Sequence, residues 1–245
     1  MISSSVRIRP AETRLDRWEL PIVMLAMWLV FISIPLYMGR IGLSWDGLNH
    51  QIYLGWVANS SRFDRDYMAA SLQSYQFPYL YWPVYKLAIS GFNGMTAGVV
   101  LSKLHQIAVP PVRMESRVLI PDRNLLGVAL RVAAVVLAFM SAVPLKTLET
   151  TGNDLLAAAP MLWAIAFAFK AITLKSTASH TSLTRISVIS GLLGGIAVAC
   201  KLSNGPLVIL LPVLFFFCHG ELLQRLKWVI SNTLGVALGF GVTYG

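Results

Sequence analysis

Charge is what this sequence has least of: 13% of its 245 residues are Asp, Glu, Lys or Arg, where a soluble domain carries about a quarter. Cysteine is scarcer still. Cys200 and Cys218 are the whole complement, and each sits in an apolar run, so neither a disulfide framework nor a CxxC metal site can be built. Acidic residues number 11 against 20 lysines and arginines. The resulting net charge of +9 does not point to nucleic acid, because no basic and aromatic stripe occurs in a polar segment. In place of charge the chain has apolar surface, 56% of it hydrophobic residues with a mean hydropathy of +0.65. Several charge-poor runs approach or exceed the roughly 18–20 residues that cross a bilayer as a helix. The expected class is an all-α, polytopic transmembrane helix bundle forming a single domain over residues 1–245.

Charge placement gives the expected topology. Residues 1–19 carry Arg7, Arg9, Arg14 and Arg17 ahead of the apolar run 20–38, with no small-residue cleavage site after it, so the run reads as a signal anchor. Further spans are expected at roughly 77–101, 124–145, 154–172, 184–200, 205–219 and 228–245, about seven in all. With the 1–19 tail cytoplasmic, the inner segments hold thirteen of the 20 lysines and arginines and the outer segments five, as the positive-inside rule requires. Gly91, Asn93 and Gly94 offer a break that would turn 77–112 into a hairpin and invert the rest; one crossing keeps the charge agreement. The last run stops at Gly245 without a basic flank, and we expect the chain to be the front part of a longer protein.

The first outer loop, residues 39–76, and its continuation to Pro83 concentrate the titratable and aromatic residues. Ser44 is placed to cap a helix starting at Trp45, with Asp46 in its first turn, where the helix dipole favours an anion. Over 45–58, Leu48, Ile52 and Trp56 form an apolar stripe, while Asp46, Asn49, His50 and Tyr53 share the opposite face. This is the pattern of an amphipathic helix at the membrane interface. It brings a carboxylate and an imidazole within one turn. Asp46 can act as a general base with His50 orienting the proton, the two can hold a divalent cation, or they can be a capping aspartate and a solvated histidine. Asp64 and Asp66 flank Arg65, and local ion pairing explains them as well as catalysis does; a second short helix is expected from Asp66. Asn59, Ser60 and Ser61 match the glycosylation sequon, a weak signal.

A second outer loop, PLKTLETTGNDLLAAAP, places Glu149 and Asp154 on the same side as Asp46. Thr150, Thr151, Gly152 and Asn153 supply turn and cap chemistry ahead of a helix from Asp154, which accounts for Asp154 but not for Glu149. Lys86 falls inside the expected second span, Arg131 inside the third and Lys201 at the outer end of the fifth. Ionisable groups in spans are functional candidates, although Arg131 is near enough to the inner end to snorkel. Lys86, Lys201 and Arg40, with Arg62, Arg65 or Lys146, are candidates to contact the phosphate of a lipid carrier.

These segments carry a resemblance. WDGLNHQIYLGWVANSSRFDRDYMAASLQSYQFPYL, TTGNDLLAAAP and GLLGGIAVACKLSNGP resemble the membrane glycosyltransferases of the GT-C superfamily, in particular glycosyltransferase-87-like and uncharacterised bacterial members. The resemblance implies transfer of a sugar from a polyprenyl-phosphate-linked donor on the periplasmic side of a bacterial inner membrane, with a first-loop acid, here Asp46, at the centre of catalysis. His50 would be its partner, Asp64, Asp66 and Glu149 secondary acids, and Lys86, Lys201 and Arg40 contacts to the lipid phosphate. Members usually have more spans and often a soluble C-terminal part. Two rivals stand beside this reading. A transporter or lipid flippase fits Lys86 and the break at 91–94, and a non-catalytic truncated membrane protein fits the end at Gly245.

Overall fold

Arg14–Met38 (α1) is a 25-residue helix rich in Leu, Ile, Val, Met, Phe and Trp, with Pro21 and Pro35 inside it, and is about 37 Å long at 1.5 Å per residue. The computed structural model describes residues 14–59, 62, 64–72, 76–174 and 179–244. The basic residues Arg7 and Arg9, Ser60 and Ser61 of the sequon, and the Gln73–Tyr75 stretch lie outside the described residues. The fold is all-helical apart from the four-residue extended segment Ala69–Leu72. After α1 come a π-helical turn (Gly47–Gln51) leading into α2 (Ile52–Val57), then α3 (Trp82–Ile89), α4 (Gly94–His105) and α5 (Val109–Leu119). The remainder is α6 (Leu125–Phe139), α7 (Ala142–Glu149), α8 (Asp154–Thr173), α9 (His180–Cys200), α10 (Gly205–Phe215) and α11 (Leu222–Tyr244).

The second helical passage differs from the expectation. The expected span 77–101 is broken at Gly91, whose φ of +76° is a left-handed conformation that glycine adopts without penalty. What packs along α1 is instead α4, a 3-10 turn at Gln106–Ala108, and α5. Ser102 Oγ donates to the Phe31 carbonyl at 3.3 Å, Gln106 Nε2 to the Met24 carbonyl at 3.0 Å, and Arg113 Nε to Glu19 at 2.9 Å. As the residue number rises on one side it falls on the other, so Gly94–Leu119 runs antiparallel to α1. Segment 102–119 is therefore helix packed on α1, not part of an inner loop, and Lys86 on α3 lies outside this passage. The first loop consequently extends from Gly39 to Asn93.

Hydrophobic burial falls into two clusters. Val23, Met27 and Phe31 of α1 pack with Val135 and Phe139 of α6 and Leu155 of α8; Phe31 and Phe139 meet edge to face, 5.4 Å between centroids. The second cluster joins Met161, Ala164 and Ala168 of α8 to Leu183, Leu211, Phe215 and Trp228. Glycines let α9 and α11 touch backbone to backbone: a Cβ on Gly195 would lie 2.2 Å from the Val236 carbonyl oxygen, and one on Gly239 2.2 Å from that of Leu192. This small-residue packing is the kind that joins helices in lipid, where apolar side chains gain little by meeting each other.

Among the described residues three helices are long and apolar enough to cross a membrane, Arg17–Met38, Asp154–Thr173 and His180–Cys200, or four if α6 and α7, bent by 63°, count as one. The seven expected spans are not reached on that measure. The 77–101 run is broken, α10 has 11 residues, and the 23 residues of α11 include Arg225, Lys227, Asn232 and Thr233. The expected helix from Asp66 is also absent. Met68 and Ser71 have φ of +47° and +56°, which no right-handed helix contains. Nor does Arg131 snorkel: it is buried against Glu19.

Candidate functional site

Two loops at the Met38 end of α1 are stitched together to form the site. Gly42 N–H donates to the Glu149 carbonyl and Thr151 N–H to the Gly42 carbonyl, both at 2.9 Å. Thr151 Oγ1 accepts from Ser44 N–H at 3.2 Å and lies 3.2 Å from Ser44 Oγ. Ser44 Oγ in turn accepts from Gly47 N–H at 2.8 Å, the capping bond expected from the sequence. Residues more than a hundred positions apart thus fix where the Asp46 turn begins. Gly47 must be glycine here, because a Cβ would sit 2.6 Å from Thr151 Oγ1.

The turn that follows is π-helical over Gly47–Gln51, a form often found at functional positions. Gly47, His50, Gln51, Leu54 and Val57 face the protein and are buried. Trp45, Leu48 and Trp56 face outward, as expected of aromatic and apolar groups at a membrane surface. Asp46 is exposed, with no hydrogen bond or ion pair among the described residues. It lines a cavity of about 270 Å3 together with Trp45, Lys146, Thr147, Thr150 and Asp154. Lys146 and Thr147 reach this cavity because the α6–α7 bend folds α7 across the end of the bundle.

Behind Asp46, His50 packs against the Tyr81 ring with centroids 5.8 Å apart. Burial lowers the His50 pKa; Asp46 partly opposes this and Lys201 adds to it. The imidazole is therefore neutral at neutral pH, able to accept or relay a proton. Burial raises the pKa of Tyr81, whose hydroxyl donates to Gln76 Oε1 and lies beside Asn153. Lys201 Nζ is ion-paired with Asp154, so the helix-capping aspartate of the sequence reading has a partner 47 positions away. Both partners are more than a third exposed.

His50 also makes stability pH-dependent. Its folded pKa is depressed, so the unfolded chain binds the proton more readily, and stability is lost as pH falls below the ordinary histidine value of about 6.5. In detergent the Tm of the protein should be steady above about pH 7 and decline below it. His50→Gln should make that decline shallower; an unchanged decline would assign it to other groups.

Not every expected residue is gathered here. Asp46 and His50 are at the site, and Lys201 reaches it through Asp154. Glu149 is exposed beside it and contributes its backbone carbonyl to Gly42. Asp66 is held by Arg62 through two bonds, 2.5 and 2.9 Å, and accepts from Tyr53 at 3.2 Å; the Arg62 guanidinium keeps its carboxyl below the usual range. Asp64 lies 3.6 Å from Arg65, its side chain 73% exposed. Lys86 stands over the Trp82 ring at 5.3 Å, and Arg40 packs beside Gly94; neither lines the cavity. Among the described residues no group of three or more His, Cys, Asp or Glu is placed to hold a metal ion, and Asp46 with His50 would supply two ligands. Tyr81 and Thr147 were missed by sequence reasoning, since nothing local marks an aromatic or a threonine as part of a site; Asn153 was read only as cap chemistry, and its side chain makes no cap bond. Set beside known proteins, the chain matches no protein-family model, no curated protein and no solved structure.

Proposed function

We propose that the chain is the membrane domain of a glycosyltransferase of the GT-C type, moving a sugar from a polyprenyl-phosphate donor to an acceptor hydroxyl outside the cytoplasm of a bacterium. One observation carries this reading: an exposed carboxylate with no ion pair among the described residues, Asp46, in a cavity at the end of an apolar bundle, with a neutral histidine behind it and a lysine on its wall. A cavity at that level is reached by a lipid-anchored donor from the membrane and by an acceptor from water. Asp46 takes the proton of the acceptor hydroxyl as its oxygen bonds the anomeric carbon, while the bond from that carbon to the phosphate oxygen breaks. The electron pair leaves with the polyprenyl phosphate, whose charge Lys146 faces, with Lys201 held nearby by Asp154. Lys146 takes the role that the sequence gave to Lys86 and Arg40.

The same reading includes seven crossings. The packing directions support it: α1 is antiparallel to α4–α5, and α8 is antiparallel to α9, with Ser190 Oγ on the Ala164 carbonyl at 2.7 Å. α9 and α11 run parallel, Asn232 Nδ2 donating to the Ser187 carbonyl at 2.9 Å, so Leu202–Phe215 makes the return passage between them. The test is transfer of labelled sugar from polyprenyl phosphate by the purified full-length protein in proteoliposomes. Absence of transfer to any added hydroxyl acceptor, with the protein folded, would overturn the reading. A second reading, a transporter of such lipids, draws on the bent α6–α7 pair at the cavity; it predicts movement of the donor across the bilayer with its phosphate–sugar bond intact.

A further inference from the structure

Between α5 and α8, at the end of the bundle opposite Asp46, lies a cleft of about 330 Å3. Met114, Val118, Pro121 and Ala166 form an apolar wall, and Arg117 and Lys170 stand with them. Lys170 is sixteen positions along α8 from Asp154, roughly 24 Å at the rise of an α-helix, so this cleft is separate from the site above. Lys170 is exposed, and its ammonium has no hydrogen-bond or ion-pair partner among the described residues. The Thr173 hydroxyl beside it is turned back onto the Lys170 carbonyl at 3.0 Å. A cation in the last turn of a helix offsets the dipole wherever it occurs. That accounts for Lys170 alone; it leaves an apolar cleft between two basic residues unexplained.

We propose that this cleft binds one anionic phospholipid, its phosphate between Arg117 and Lys170 and an acyl chain along the Met114, Val118 and Ala166 wall. Three observations converge. The groups are of two chemistries, cationic and apolar, with Met114 and Ala166 about one turn further into the bundle along α5 and α8 than Arg117 and Lys170. Both helices reach their C-terminal ends here, at the level of Glu19 and Arg113 near the start of α1. This is also the end where the sequence concentrates its lysines and arginines, and basic clefts between helices on that side of a membrane suit anionic headgroups. A soluble phosphate compound would meet the two cations and leave the apolar wall uncovered; a zwitterionic lipid would cover the wall and gain little from the cations.

The experiment is native mass spectrometry of the purified full chain in dodecyl maltoside, titrated separately with phosphatidylglycerol, phosphatidylcholine and sn-glycerol 3-phosphate. The expected result is one retained phosphatidylglycerol, bound at least about tenfold more tightly than phosphatidylcholine, with glycerol phosphate not retained. Lys170→Gln with Arg117→Gln should remove that preference, and Ala166→Phe, which fills the cleft, should weaken both lipids. Equal retention of the two lipids would overturn the proposal. So would glycerol phosphate binding as tightly as phosphatidylglycerol, the sign of a free-phosphate site. Phosphatidylglycerol retention unchanged by Ala166→Phe would also overturn it. Should the charge variants fail to fold, the three-ligand comparison on the unaltered protein still decides.

Discussion

Asp46→Asn is expected to lower the turnover of sugar transfer by two to four orders of magnitude, roughly what a positioned general base contributes, with little change in KM for the donor. The asparagine keeps the shape of the side chain and removes only its capacity to take a proton. The Asp46 carboxylate bonds no other described residue, and the turn is held by the Ser44 hydroxyl, Gly47 N–H and Thr151. The variant should therefore melt with the unaltered protein, which separates chemistry from structure. Asp64→Asn should be close to silent, since that carboxylate is solvated and does not line the cavity. Turnover by Asp46→Asn within a few-fold of the unaltered protein would reduce Asp46 to a first-turn acid favoured by the helix dipole.

The physics that made Asp46 legible was local. Ser44, Asp46 and His50 lie within two helical turns, so capping and helical spacing suffice to bring them near one another. The second passage was misplaced for a reason that hydropathy cannot register. FPYLYWPVYKLAI is apolar enough to read as a span, whereas 102–119, with Lys103, His105, Gln106, Arg113, Glu115 and Arg117, reads as a polar loop. In the fold, Gln106 bonds the Met24 carbonyl and Arg113 bonds Glu19, so Gln106 and Arg113 are satisfied inside the protein and never priced against lipid. Lys86 was misread by the same logic in reverse, its charge resting on the Trp82 ring outside the bundle. The cavity itself was only half legible. Its far wall, Lys146, Thr147 and Thr150, depends on the 63° bend between α6 and α7, and no spacing in the sequence states that angle.

Glu19→Gln is expected to be among the most destabilising single changes in the chain. Glu19 and Arg131 are fully buried, with side-chain exposures of 0% and 1%. Arg131 Nη2 lies 2.6 Å from Glu19 Oε2, its Nε 3.0 Å from Oε1, and Arg113 Nε donates to the same Oε1 at 2.9 Å. Two guanidinium groups thus share one carboxylate. The second arm of Arg131 donates to the Ile120 and Asp122 carbonyls, tying the α5–α6 connection to the start of α1. Removing the carboxylate charge leaves two cations without their counter-ion, and breaking such a buried pair costs about 3–5 kcal/mol. For a chain of this size that corresponds to a fall in Tm of roughly 6–20 °C, measurable by thermal denaturation in detergent. The triple replacement Glu19→Leu, Arg113→Met and Arg131→Met removes both the attraction and the desolvation cost, so it should recover most of the loss. That recovery distinguishes an unpaired buried charge from simple damage to α1, because a merely cavity-forming defect would worsen with three substitutions. Glu19→Gln melting within about 2 °C of the unaltered protein, less than 1 kcal/mol, would mean that water reaches the triad and screens it.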